Sequence, residues 1–158
     1  MGTDVSGGYG VSILNAIQNA SVASKIISIQ SRDNLDSGSI AGSGFTNKPL
    51  PIPTLLYLAT AGGARVCGLE NQVGDFKEGK AFDALLVSVR EEVGNPGVWD
   101  VQSNTPFEVG VDEKKLLEAQ LERFLFCGDD RNISRVYVQG RWIGGNSFHR
   151  QRAMGTLN

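Results

Sequence analysis

Residues 11–30, VSILNAIQNASVASKIISIQ, carry the longest helical period in the chain. At about 100° per residue, Ile13, Leu14, Ile17, Ala20 and Ile27 share one broad face, and Val22, Ile26 and Ile29 form a second stripe. A helix with two apolar faces needs covering on both. A chain of 158 residues that is 41 % hydrophobic can build one ordinary core. Covering both stripes as well asks for more than that core readily offers, a first sign of structure beyond this chain.

Size and charge narrow the classes. The chain is too short for a complete (β/α)8 barrel, which needs about 250 residues. A net charge of −2 gives no electrostatic reason to expect nucleic acid or an anionic membrane as partner. No apolar run approaches the roughly 20 residues of a membrane span. Gly2 to Gly10 is polar and glycine-rich, unlike a signal peptide. Cys67 and Cys127 lie far apart inside apolar segments and are expected to be buried free thiols in a reducing, cytoplasmic setting.

Along the chain, residues 31–53 lack any period, are rich in Ser, Gly and Pro, and are expected to form a surface loop insertion. Pro53 suits the first position of a short helix that runs to Gly62-Gly63, and ARVCGL adds a turn capped by Gly68. The period then changes. Val73–Phe76 and Lys77–Lys80 read as short extended pieces with tight turns, and Asp83–Val89 as a buried strand. Asn95-Pro96-Gly97 marks a turn, with Trp99 packing beyond it. Asp112 can cap a helix through about Phe126, with Leu117, Leu121 and Phe124 on one face. ISRVYV, Gln139-Gly140 and RWI read as a hairpin, followed by a polar tail from Gly144.

The first eight residues hold the candidate chemistry. Asp4 follows a short strand-like lead and precedes Gly7-Gly8 and the long helix. A carboxylate at the carboxyl end of a strand, on a glycine turn, faces the active site in an α/β barrel. The same residues also serve as ordinary turn formers, and both readings stand at this level. Asp129, Asp130 and Arg131 read as turn formers with an ion pair, and Gly79-Lys80 and Asp83 as a turn that holds the start of a strand.

Ala59-Thr60-Ala61-Gly62-Gly63-Ala64-Arg65-Val66-Cys67-Gly68-Leu69, followed by Gly74-Asp75-Phe76-Lys77-Glu78-Gly79-Lys80-Ala81-Phe82-Asp83-Ala84-Leu85-Leu86, resembles the carboxyl-terminal part of the metal-dependent amidohydrolases. Gly2-Thr3-Asp4-Val5-Ser6-Gly7-Gly8-Tyr9 and Phe124-Leu125-Phe126-Cys127-Gly128-Asp129-Asp130-Arg131-Asn132-Ile133 narrow the resemblance to the guanine deaminases. It extends over residues 1–143, apart from the 31–53 insertion. The resemblance implies an α/β fold: the carboxyl-terminal end of a (β/α)8 barrel over residues 1–69, and a segment of a small β-sandwich over 70–143 with one helix near 112–126. Residues 144–158 are then a flexible tail.

The activity so implied is zinc-dependent hydrolysis of guanine to xanthine and ammonia, by an enzyme of purine catabolism that is homodimeric when complete. Zinc lowers the pKa of a bound water to about 7, and a carboxylate touching it can carry the water proton to the leaving amine. By the match, Asp4 is both metal ligand and proton shuttle. The family's H-x-H pair has no counterpart in these residues. The single histidine, His149, sits in the polar tail and reads as solvated. Catalytic zinc takes about three protein ligands, so the chain by itself is expected to be inactive. The P-C-x-x-C deaminase motif is excluded by the spacing of Cys67 and Cys127. Two other readings stay open: an amidohydrolase acting on another heterocycle, and a non-catalytic interaction module derived from such an enzyme.

Overall fold

Helix α1 (Ile13–Asp36) is longer than its apolar period. Lengthening an existing helix adds one hydrogen bond per residue without a new nucleus. Residues 31–36 therefore continue the helix instead of opening the expected loop. The structure, a computed structural model, describes residues 1–8, 10–36, 48–98 and 112–147; positions 37–47 of that loop lie outside them. The chain divides into two compact units, Met1–Glu70 and Asn71–Asn158, with mixed helix and strand content.

In the first unit, Ile17 is buried, and Leu14 and Ala20 are half-buried. Ile13 and Ile27, which the period places on the same face, are exposed. Ser21 and Ser28 complete the buried side. Ser28 donates its hydroxyl to the Lys25 carbonyl at 2.8 Å and Ser24 to the Ser21 carbonyl at 2.8 Å, so the polar stripe is satisfied within the helix. Ser24 Oγ also accepts from the Leu50 amide at 3.1 Å, which ties the segment before the next helix to α1. The second stripe is open, with Val22, Ile26 and Ile29 at 54, 50 and 58 % exposure.

Helix α2 (Ile52–Ala59) carries Pro53 at its second position, one later than expected, and buries Leu55 completely. It packs on α1 and on α3 (Ala61–Val66). Gly62 and Gly63 lie inside α3 and do not end the preceding helix. A Cβ on Gly62 would sit 3.0 Å from the Tyr57 ring and carbonyl, so glycine allows the two short helices to close on each other. Gly68 has φ +69. Its amide reaches the Arg65 carbonyl and the Leu69 amide the Ala64 carbonyl, a Schellman ending on the anticipated glycine.

In the second unit, residues 73–80 form turns and bends without strand pairing. Strands β1 (Ala84–Val87), β2 (Ile133–Val138) and β3 (Arg141–Gly144) form an antiparallel sheet in the order β1-β2-β3. Val138 pairs with Arg141 across the two-residue loop Gln139-Gly140, whose φ values are +50 and +76, as a type I′ hairpin turn requires. The Asp83 carboxylate accepts the Gln139 amide at 2.7 Å and Phe82 accepts the Gly140 amide, so the residues before β1 clamp this turn.

Helix α4 (Glu113–Cys127) starts at Asp112, which caps the Lys114 amide at 3.1 Å. Its buried anchor is Leu125; of the expected face Leu117, Leu121 and Phe124, the last two are half-buried and Leu117 is exposed. Cys67 and Cys127 are free but exposed, contrary to the buried thiols expected, because each falls at the end of a helix. Gly144 closes β3, and Asn146 Nδ2 donates to the Arg131 carbonyl at 2.9 Å, so order reaches into the expected tail. Trp99 and His149 lie outside the described residues.

Candidate active site

Asp4 sits in left-handed backbone at φ +47 with its side chain exposed. Asp and Asn adopt this conformation at the least cost among residues with a side chain. The Gly8 amide donates to the Asp4 carbonyl, closing a tight turn around the acid. A Cβ on Gly8 would lie 2.7 Å from the Asp4 carbonyl oxygen, so the turn needs glycine there for space. The Met1 nitrogen donates to the Leu58 carbonyl at 3.2 Å and anchors the loop to α2. Beside it an open groove of about 280 Å³ is bounded by Thr3, Gly8, Gly10, Ser12, Asn15 and Asn19, among others; Asp4 does not line it.

A second polar centre lies in the other unit, and the sequence reading missed it. Asn132 and Asn95 are buried. Asn132 Oδ1 accepts from Asn95 Nδ2 at 2.7 Å and from the Asp129 amide at 3.0 Å, and Asn132 Nδ2 donates to the Ser88 carbonyl at 2.8 Å. Asn95 Nδ2 also reaches the Cys127 carbonyl at 3.1 Å, and Asn95 Oδ1 accepts the Gly97 amide at 2.8 Å. These bonds join the end of β1, the Asn95 turn, the end of α4 and the start of β2. The available signal was Asn95 before Pro-Gly and Asn132 after Asp-Asp-Arg; nothing local in either predicts their meeting.

Asp129 caps the turn Asp130–Asn132 and binds the Arg131 guanidinium through both carboxylate oxygens. Chiefly through that side-chain hydrogen bond, Arg131 holds the Asp129 carboxyl below its usual range, and Asp129 raises Arg131 in return. Lys80 pairs with Asp75 beside a cluster in which Phe82 meets Phe76 and Tyr137 at ring-centre distances of 5.8 and 5.7 Å. Asp129 and Lys80 are thus engaged in local ion pairs, and Asp83 holds a turn remote in sequence, all three in structural roles.

Among the described residues no three of His, Cys, Asp and Glu converge where a metal ion could be held. Asp4 offers one ligand where catalytic zinc takes about three from protein, so the described residues do not fit a metal ion on their own.

The model of the amidohydrolase family matches residues 1–143. The chain belongs to the amidohydrolase family. Membership in it implies a metal cofactor in general terms. This amidohydrolase chain is 34 % identical to guanine deaminase of Mus musculus over 145 residues, covering 90 % of this chain and 27 % of that protein. It is 36 % identical to a probable guanine deaminase of Schizosaccharomyces pombe over 145 residues, covering 92 % and 23 %. Among solved structures, guanine deaminase of E. coli superposes with a TM-score of 0.57 at 26 % identity, covering 92 % of this chain and 27 % of that one. Guanine deaminase from Bradyrhizobium japonicum shares the fold with a TM-score of 0.62 at 24 % identity, covering 92 % and 30 %. The amidohydrolase chain thus spans about a quarter of the length of these relatives. Among the described residues no helix is long and apolar enough to cross a membrane.

Proposed function

We propose that this chain is the carboxyl-terminal part of a guanine deaminase, which hydrolyses guanine to xanthine and ammonia. In this reading residues 1–69 finish a (β/α)8 barrel, residues 70–143 form a segment of a small β-sandwich, and 144–158 are its tail. The complete enzyme is a cytoplasmic homodimer that uses zinc, with Asp4 the one ligand assigned to this chain. Likeness to guanine deaminases over nine-tenths of the chain supports the substrate.

The observation that carries the reading is the setting of Asp4: an exposed carboxylate on left-handed backbone, wrapped by Gly7-Gly8, at the start of the family match. Backbone held in a sparsely populated region clusters at functional sites. Deamination adds water to the ring carbon that bears the amine, and ammonia leaves. The water must lose a proton and the departing nitrogen must gain one. A single carboxylate oxygen of Asp4 can take the first proton and deliver it to the second site, which makes it both base and acid.

The test compares two carboxylates in the complete protein. Asp4→Asn keeps the shape but removes the proton acceptor. Guanine-dependent ammonia release is expected to fall by the ~10²–10⁴ of general acid–base catalysis, with the fold intact. Asp83→Asn keeps an oxygen for the Gln139 amide and is expected to leave turnover near normal. Near-normal turnover in Asp4→Asn would sink the assignment, as would its abolition in folded Asp83→Asn. The 158-residue chain alone, with one histidine in all, is expected to release no ammonia.

A further inference from the structure

Three glycines in the first eight residues differ in what a side chain on each would meet. At Gly2 a Cβ has nothing within 4 Å. At Gly8 its nearest neighbours are backbone atoms of Thr3 and Asp4. At Gly7 the three nearest atoms all belong to the Asp4 side chain: Oδ2 at 2.7 Å, Cγ at 3.4 Å and Oδ1 at 3.7 Å. Gly7 is not among the residues of positive φ, so its φ does not call for glycine. What glycine supplies at this position is room for the carboxylate.

We infer that Gly7 is the positioning residue for the Asp4 carboxylate. The missing Cβ leaves open the space beside Oδ2 that the carboxylate needs for its present rotation. The inference depends on the reading of Asp4 as the carboxylate that moves the proton. An alanine methyl here would have to push Oδ2 away by roughly 0.5–1 Å to restore ordinary contact. The atoms in its way are the free end of a short side chain, which can rotate, so the loop survives and the carboxylate moves. A proton acceptor works only within hydrogen-bond reach of its proton, and a displacement of about 1 Å can cost on the order of 10²-fold in rate.

The experiment uses the complete, metal-loaded protein and four variants: Gly7→Ala, Gly2→Ala, Asp4→Ala and the Asp4→Ala/Gly7→Ala double. Guanine deamination kinetics, bound metal and melting temperature are measured for each. Gly7→Ala is expected to lower kcat by ~10²-fold with KM within about twofold, at an unchanged melting temperature. Gly2→Ala should match the parent. On the Asp4→Ala background, Gly7→Ala should change neither the residual rate nor the melting temperature, because the atoms it displaces are gone. Should Gly7→Ala unfold the protein, relief of that loss by Asp4→Ala still supports the contact. Persistence of the loss in the double variant shows that Gly7 serves the backbone and overturns the inference. Parental kcat in Gly7→Ala overturns it too, as does an equal fall on both backgrounds. If Asp4→Ala itself keeps full turnover, it is the reading of Asp4 that fails.

Discussion

Asn132 shows how much of this chain's stability can rest on one polar side chain. It is 0 % exposed and satisfies the Asn95 amide, the Asp129 amide and the Ser88 carbonyl together. Each buried polar group left without its partner costs about 1–3 kcal/mol. Asn132→Ala leaves the Asp129 backbone amide and the Ser88 carbonyl without this partner, while Asn95 Nδ2 keeps the Cys127 carbonyl, and is expected to cost about 3 kcal/mol, read as a lower urea midpoint at constant slope. A midpoint equal to the parent's would mean that the network relaxes freely and holds nothing. By residue type Asn132 belongs at the surface, so its burial was not legible locally; its partner Asn95 lies 37 positions away. Asp4 differs in this respect. Its candidacy rested on its place before two glycines, and the left-handed backbone around it is what such a turn provides.

At the scale of elements, strong local signals came through and burial did not. Asp112 as a cap, Gly68 as a helix end and Gln139-Gly140 as a hairpin turn each depend on a few adjacent residues, and each is found. The hairpin also keeps a local conflict, since Gln139 has a branchless but full side chain at φ +50. Asparagine is much better suited to a type I′ turn. Gln139→Asn retains the amide that Asp83 accepts and is expected to stabilise the chain by about 0.5–1 kcal/mol, measured by denaturant unfolding. A loss of stability would show that the glutamine side chain holds the turn in some other way. Along α1 the period correctly marked a helix with two stripes, but it grouped Ile27 with Ile17, and only Ile17 is covered. Which part of a wide apolar face is buried depends on the neighbour, and the neighbour is remote in sequence.

For the whole molecule, the exposed apolar side chains set the expectation. Val22, Ile26 and Ile29 on α1 and Leu85, Val138 and Ile143 on the sheet are all at least 40 % exposed. Exposed apolar side chains on each of these two units mark an interaction face or an aggregation liability. The 158-residue chain by itself is expected to self-associate and to take up a hydrophobic dye. Val22→Lys/Ile26→Glu should reduce both while leaving the helical signal in circular dichroism unchanged. A monodisperse parent chain that binds no dye in light-scattering and fluorescence measurements would refute this.

Sequence alone determined the helices α1 and α4, the strands β1 to β3, the caps and the turn of β2–β3, because these arise from neighbouring backbone groups and from φ preferences carried by single residues; it did not determine the turns at residues 73–80. It also marked Asp4 as the acid to watch. Tertiary structure alone decided that Cys67 and Cys127 face solvent, that Gly62 is a packing point against Tyr57, and that Asp83 clamps a turn 56 residues away. The same holds for the Asn95–Asn132 pair and for Gly7 against the Asp4 carboxylate. The physical reason is that burial and contact belong to pairs of groups, and a pair exists only once the backbone has brought them together, within one turn for Gly7 and Asp4 and across 37 positions for Asn95 and Asn132.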